Sequence, residues 1–203
     1  MKNIDTVIFD IGRVLVSFDW EKFLKQFHFE PKLEEEIGKA IFLDPLWNER
    51  DRGAVSDEEN TLLYYKKYPH LKNEMARVFE KANEIVEEYD FSADWIRSLK
   101  NRGYKVLLLS NYAKTSFEYA FEHFNCLKLA DGGVISYQVK SCKPEPEIYR
   151  ALIERYGLTP QTAVFLDDNL SNLEAAKNFG FHVIHVADHS TAAKMLEKML
   201  EEA

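Results

Sequence analysis

Asp10, the pair Ser110-Asn111 and the pair Asp167-Asp168 each follow directly on a short apolar run: Thr6-Val7-Ile8-Phe9, Tyr104 to Leu109, and Ala163-Val164-Phe165-Leu166. Runs this short, β-branched and lacking a polar face, read as strands buried on both sides. In an open parallel sheet, ligands bind beyond the carboxyl ends of the strands. Three strands would therefore deliver polar, carboxylate-rich tips to one edge. A lone Asp after a strand is also a common turn residue or helix cap. Two adjacent aspartates that converge with Asp10 repel one another unless a cation stands between them. A hard divalent ion with oxygen ligands, Mg²⁺ above all, meets that need. Such an ion neutralises the charge of a phosphate and leaves one carboxylate free to attack it. Lys143, in Ser141-Cys142-Lys143-Pro144-Glu145-Pro146, adds a fixed positive charge. The two prolines hold that segment extended and start a helix, so the lysine can be aimed.

The elements that must position these groups follow from the pattern around them. Phe181 to Val186 reads as a fourth strand and Gly132 to Ser136 as a short further one. Helical patterns over 92–102, 146–156 and 170–179 are each stopped by a glycine: Gly103, Gly157 and Gly180. Strand–helix alternation of this kind argues an α/β fold, a parallel sheet covered by helices. One interval departs from the repeat. About ninety residues separate the first strand from the second, where a crossover needs only a dozen or so. Helices are expected there over 20–27, 31–42, 56–68 and 70–88, with Ser56-Asp57-Glu58-Glu59 forming a capping box. Residues 1–16 and 91–203 are thus expected to form the core, and 17–90 an inserted helical domain. Trp47 and Arg50 stand in a stretch, Trp-Asn-Glu-Arg-Asp-Arg-Gly, that reads as a compact turn between two of these helices. Loops on rigid scaffolds tend to carry specificity groups, so a Trp face for a ring and an Arg for a hydroxyl or second anion are candidates. The competing reading packs the Trp and pairs the arginines. Glu34 to Glu36 and Glu87-Glu88 read as solvated helix faces.

Lys plus Arg total 26 and Asp plus Glu 34, a formal net charge of −8, with no basic cluster. Such a chain is a poor binder of nucleic acid or of an anionic membrane. No apolar stretch approaches the ~20 residues of a membrane span, and none stands at the N-terminus as a signal segment. The cysteines are Cys126 and Cys142, too few for a disulfide framework and not spaced for a metal. A reduced, cytoplasmic protein is expected, acting on a small molecule as a monomer or homodimer.

Phe9-Asp10-Ile11-Gly12-Arg13-Val14-Leu15 resembles the first motif of the haloacid dehalogenase-like hydrolases. Leu109-Ser110-Asn111 resembles the second, Lys143-Pro144 the third and Leu166-Asp167-Asp168-Asn169 the fourth. They follow the family's order and span nearly the whole chain. The sequence is most similar to the sugar-1-phosphate phosphatase-like branch and to the N-terminal phosphatase domain of soluble epoxide hydrolases. The resemblance implies a Rossmann-like parallel sheet with helices on both faces and a small α-helical cap at 17–90. It implies Mg²⁺-dependent hydrolysis of a small phosphorylated metabolite, a sugar phosphate above all. Asp10 would be the nucleophile. Ser110 and the Asn111 amide would bind the phosphoryl group, and Lys143 would hold its charge. Asp10, the Gly12 carbonyl and Asp168 would serve the metal, with Asp167 as a second ligand or an orienter. From its place beside Gly12, and not from the resemblance, Arg13 is a candidate for the substrate's entry path.

One position departs from the family. Its phosphatases usually carry a second Asp two residues after the nucleophile, to protonate the leaving oxygen and then activate water. Here that residue is Gly12, and losing a positioned acid/base typically costs ~10²–10⁴-fold in rate. The sugar-1-phosphate branch also tends to lack it. Asp19 or a cap residue is an alternative proton source. Dehalogenases of the family lack it too, but work without metal and have no need of Asp167-Asp168. A protein that binds a phosphorylated ligand without turnover is the further alternative.

Overall fold

The computed structural model describes residues 4–202. The first apolar run forms β1 (Thr6–Phe9), buried along its whole length. Six helices precede the next strand, the first five being α1 (Trp20–Lys25), α2 (Pro31–Phe42), α3 (Pro45–Arg52), α4 (Asp57–Lys67) and α5 (Lys72–Glu80). The chain then runs α6 (Ser92–Asn101), β2 (Lys105–Ser110), α7 (Lys114–His123), α8 (Asn125–Leu129), β3 (Gly132–Ile135) and α9 (Ser136–Val139). It continues through α10 (Pro146–Tyr156), β4 (Ala163–Asp167), α11 (Leu170–Asn178), β5 (His182–His185) and α12 (His189–Glu201). The strands form one sheet in the order β3-β2-β1-β4-β5. Every neighbouring pair is parallel, with Thr6 beside Lys105 on one side and Ala163 on the other.

Alternation along the strands divides the core. Val7 and Phe9 pack with Ile96 and Leu99 of α6 and with Leu196 of α12. Ile8, Leu107 and Phe165 pack on the other face with Ile148 and Leu152 of α10 and Leu173 of α11. Helices thus cover both faces of an α/β sheet, as the alternation of runs implied. Among the described residues, no helix is long and apolar enough to cross a membrane.

Helices α1 to α5 join the core through two strands of chain that run side by side. Ser17 N donates to the Glu87 carbonyl at 2.8 Å, and Tyr89 N donates to the Leu15 carbonyl at 3.3 Å. Val16 bridges Glu88 in antiparallel fashion.

Local structure departs from the sequence expectation at three places. Residues 70–88 are not one helix: α5 ends at Glu80, and a 3₁₀ turn (Ala82–Ile85) leads into extended chain at Val86. Ile85 and Val86 are buried, so this β-branched pair serves the paired connection rather than a helix. Glu88 accordingly is not a solvated helix residue. Its carboxylate accepts from Asn125 N and Cys126 N, capping α8. The stretch from Trp47 to Arg52 is not a turn but most of α3. Asp44 caps that helix by accepting from Leu46 N, Pro45 occupies its first turn, and Gly53 ends it with φ of 67°. Asp-Pro at the start and Gly at the end are helix signals that outweigh the polar composition between them.

Candidate active site

Asp10 leaves β1 with its amide donating to the Leu166 carbonyl at 2.9 Å, which carries the sheet register one residue beyond the strand. The following turn is closed on Ile11, whose carbonyl accepts from Leu15 N at 2.8 Å and Val16 N at 3.0 Å. Ile11 N donates to Asp10 Oδ1 at 2.7 Å. Asp167, at the end of β4, has no exposed surface, and Asp10 is 8% exposed.

Lys143 reaches this pair from the loop before α10. Its Nζ lies 2.8 Å from Asp10 Oδ1 and 2.6 Å from Asp167 Oδ2. Asp167 is further committed: Oδ1 accepts from Asn169 N at 2.8 Å, and Asn172 Nδ2 lies 3.0 and 3.1 Å from its two oxygens. The loop carrying Lys143 is tied to the end of β2 by the Asn111 carboxamide. Nδ2 donates to the Lys143 carbonyl at 2.9 Å, and Oδ1 accepts from Lys143 N at 2.7 Å. Asp168 completes the cluster. One oxygen from each of Asp10, Asp167 and Asp168 lies within 4.8 Å of the others.

The electrostatics follow from burial and crowding. Desolvation pushes the Asp10 carboxyl up to about 6, against the pull of Lys143 and a hydrogen bond from Ser110, while Asp167 raises it further. Asp168 is also raised, by burial first and by Asp167 second. Burial opposes the charge on Lys143, but Asp10 and Asp167 outweigh it and hold the ammonium above its ordinary value. Three carboxylates thus face one fully enclosed cation. Arg13 adds only a partial answer, 3.8 Å from Asp168 with half its side chain in solvent. The donor set is all oxygen and carries excess negative charge, which is the chemistry of a hard divalent cation. Asp10 and Asp168 have oxygens to spare for one, whereas those of Asp167 are occupied by protein donors.

A cavity of about 330 Å³ opens beside this cluster, lined by Asp10 and Ser110 at the strand ends, by Lys143 from its loop and by Trp47, Arg50 and Asp51 from α3. A larger groove of about 1230 Å³ touches only the rim, at Arg13 and Asp168. Gly12 also lines the smaller cavity, and a Cβ added there would meet nothing within 4 Å. The left-handed conformation in this turn belongs to Arg13, at φ of 59°, and not to Gly12. The Arg13 guanidinium is turned onto the Phe18 carbonyl at 3.1 Å.

Trp47 packs against Phe18 and Phe42, with ring centroids at 6.0 and 4.9 Å. Arg50 Nε bonds Asp57 at 2.6 Å, and its Nη2 donates to Ser116 at 2.8 Å, so it ties α3 to α4 and α7 while bordering the cavity. Arg52 turns away to a two-pronged pair with Glu145 at 2.5 and 2.7 Å. That pair holds the Glu145 carboxyl down at about 2. Burial and nearby Asp51 push the Cys142 thiol, beside Lys143, up to about 11. Asp19 is occupied as the cap of α1, accepting from Lys22 N. The residue that sequence reasoning missed is Asp51. It is 8% exposed, lines the cavity, and has its carboxyl pushed up to about 7, by burial above all. In sequence it is one charge among many, and only the docking of α3 buries it.

A family model for haloacid dehalogenase-like hydrolases matches residues 4–180. The chain is 30% identical to a phosphorylated carbohydrates phosphatase of Thermotoga maritima, over 92% of this chain and 87% of that protein. It is 31% identical to mouse acyl-CoA dehydrogenase family member 10, over 98% of this chain but only 19% of that longer protein. An enzyme from Bacteroides thetaiotaomicron, solved with magnesium and inorganic phosphate, superposes with a TM-score of 0.74 at 22% identity, over 93% of this chain and 98% of that one.

Proposed function

Since the chain belongs to the haloacid dehalogenase-like hydrolases, we propose that it hydrolyses the phosphate monoester of a small metabolite, a sugar phosphate foremost, by way of an aspartyl-phosphate on Asp10. One observation carries this reading: Lys143 bridges Asp10 and Asp167 while Asp168 crowds the same point, leaving buried negative charge in excess. An attack on carbon that releases halide has no use for that excess. A metal-assisted attack on phosphorus does.

Asp10, Asp168 and the Gly12 carbonyl would hold Mg²⁺, which when bound neutralises phosphate charge and keeps the phosphoryl group in line with Asp10. Asp167 positions Lys143. Asp10 Oδ attacks phosphorus as the ester oxygen leaves. The Ser110 hydroxyl and the Asn111 amide bind the phosphoryl oxygens as they move, and Lys143 balances charge on both nucleophile and phosphate. Water then cleaves the acyl phosphate and restores the Asp10 carboxylate. The helices over 17–90 act as a cap that excludes stray water and selects the substrate, with Trp47 as a face for a sugar ring, Arg50 at its edge and Arg13 at the entrance. The phosphorylated carbohydrates phosphatase among its relatives supports the substrate class.

Phosphate release from a panel of sugar phosphates, with Mg²⁺ and with excess chelator, tests the reading. Turnover that vanishes with chelator is expected. Chloride release from a 2-haloacid without added metal, with no phosphate release from any ester, would overturn it.

A further inference from the structure

Resting on the phosphatase reading above, we propose that Asp51, carried on the helical insert, is the general acid and base of this site and does from across the cavity what the residue at position 12 cannot. Gly12 offers no proton to a leaving oxygen, and Asp19 is spent on capping α1 through Lys22 N. Asp51 is the remaining carboxyl that borders the same cavity as Asp10, Ser110 and Lys143 without belonging to the acidic cluster.

Its setting is built rather than incidental. The Asp51 carbonyl accepts from the Ser136 hydroxyl, and Ser136 Oγ in turn accepts from Tyr112 N at 2.9 Å. The helix backbone is thereby fixed to the loop that follows Ser110 at the end of β2 and carries Asn111. The neighbouring arginines are held elsewhere, Arg50 by Asp57 and Arg52 by Glu145. Among the described residues no ion pair holds the Asp51 carboxylate. Tyr112 lines the same cavity, and its hydroxyl is buried and without a partner in the protein. A wall with one carboxyl outside any ion pair and one orphan hydroxyl suits a polar ligand, since buried polar groups otherwise find partners.

The titration of this group agrees. Burial raises it first. Arg50 and the Ala113 amide lower it, while Asp57 and Asp10 raise it, for a value of about 7. Tyr112, Tyr64 and Cys142 also feel its charge. A group poised near neutrality can give a proton and take one back.

The steps balance. Asp10 Oδ forms a bond to phosphorus, the P–O bond to the leaving group breaks, and its oxygen takes the Asp51 proton to depart as an alcohol. Asp51, now a carboxylate, takes a proton from water as that oxygen attacks phosphorus. The bond to Asp10 then breaks, inorganic phosphate leaves, and Asp51 is protonated again.

The test uses the full chain with Mg²⁺, p-nitrophenyl phosphate and the fastest sugar phosphate of the panel. Asp51→Asn should lower kcat/KM on the sugar phosphate by ~10²–10³-fold. Nitrophenolate needs no proton to leave, so the first step on p-nitrophenyl phosphate should be spared. A burst of nitrophenol, slow turnover and phosphate trapped on Asp10 should then be seen. Equal loss on both substrates without a burst would overturn the proposal. So would a raised KM at unchanged kcat, which would make Asp51 a ligand for a substrate hydroxyl. Should the variant fold poorly, the wild type decides. Its kcat/KM on the sugar phosphate should fall on the alkaline side of about pH 7, and that limb should be absent with p-nitrophenyl phosphate. A shared limb, or none, would sink the idea. Turnover persisting in Asp10→Asn would refute the phosphatase reading instead, so the two failures are distinguishable.

Discussion

The carboxamide of Asn111 makes both polar contacts of the Lys143 peptide unit, donating to its carbonyl at 2.9 Å and accepting from its amide at 2.7 Å. The side chain after β2 thereby sets where the Lys143 ammonium enters the site from a loop thirty-two residues on. Truncation leaves that loop on weaker restraints and the ammonium free to drift from Asp10. Displacements of about 1 Å in a catalytic group can cost ~10²-fold. Asn111→Ala should therefore reduce kcat by about that factor while the melting temperature changes little. Steady-state kinetics beside a thermal melt check this, and an unchanged kcat would release Asn111 from the positioning role.

Asp10→Asn should be well folded and inactive, its rate down by ~10³-fold or more, because an amide of the same shape cannot attack phosphorus. The buried Lys143 keeps Asp167 as a partner in that variant. Acid-quenched enzyme that carries phosphate on Asp10 in the wild type and none in the variant would be the matching observation. Retention of more than a small share of the wild-type rate would exclude the aspartyl-phosphate.

How much of this was legible in the sequence depends on the range of the forces involved. Asp10, Ser110, Asp167 and Asp168 reach one sheet edge because each ends an apolar run, and burial of that run fixes the register. Local order therefore sufficed to bring those residues together. The grip of Asn111 on Lys143 and the saturation of Asp167 by Asn172 are side-chain contacts between separate elements, and no spacing encodes them. Asp51 was harder still. In Trp-Asn-Glu-Arg-Asp-Arg-Gly it reads as one exposed charge among several. It is buried in the folded protein, where Arg52 beside it pairs with Glu145 and Ser136 holds the α3 backbone. The helix α3 itself could have been read from Asp44-Pro45 and Gly53, had those caps been weighed above composition.

Metal dependence should act through Asp168. Mg²⁺ bound to the folded state alone raises the melting temperature by mass action. Wild-type protein should show that rise and Asp168→Ala should lose most of it, together with activity. Removing Asp168 also relieves the crowding that raises its own carboxyl beside Asp167. The metal-free variant should thus be no less stable than the metal-free wild type. An equal Mg²⁺ shift in both proteins would move the metal away from this cluster.

The burial of Asp51 makes a prediction about stability and pH. Its folded value of about 7 stands above the ordinary carboxyl value of 3.8, mainly through desolvation. A raised value means the folded state favours the protonated form. The associated stability is complete at low pH and is lost as pH rises through about 7. Asp51→Asn does not titrate. Its melting temperature relative to the wild type should climb from about pH 4 to about pH 7 and level off above, by about 3 °C or more in all, the shift expected for ~1 kcal/mol in a chain of this size. A constant offset at all pH values would show that the Asp51 carboxyl is solvated in the folded protein.

Gly12 brings the departure from the family and the buried acid of the insert into one experiment. A Cβ at position 12 has open space, and the backbone there is not left-handed, so Gly12→Asp carries neither a steric nor a conformational penalty. The added carboxyl would stand near Asp10, Asp167 and Asp168, where a divalent cation offsets part of the repulsion. In the wild-type background a second acid is redundant and its charge weakens phosphate binding, so the single variant should gain nothing on a sugar phosphate. In the Asp51→Asn background the proton donor is missing, and Gly12→Asp supplies one at the spacing the family uses. The double variant should recover at least ~10-fold in kcat/KM on the sugar phosphate over Asp51→Asn alone, within the range one acid/base contributes. On p-nitrophenyl phosphate the gain should appear in the slow phase after the burst, where water needs a base, and not in the burst itself. Additive losses in the double variant would mean that positions 12 and 51 do not share one task, since residues with a common role show coupled rather than independent effects.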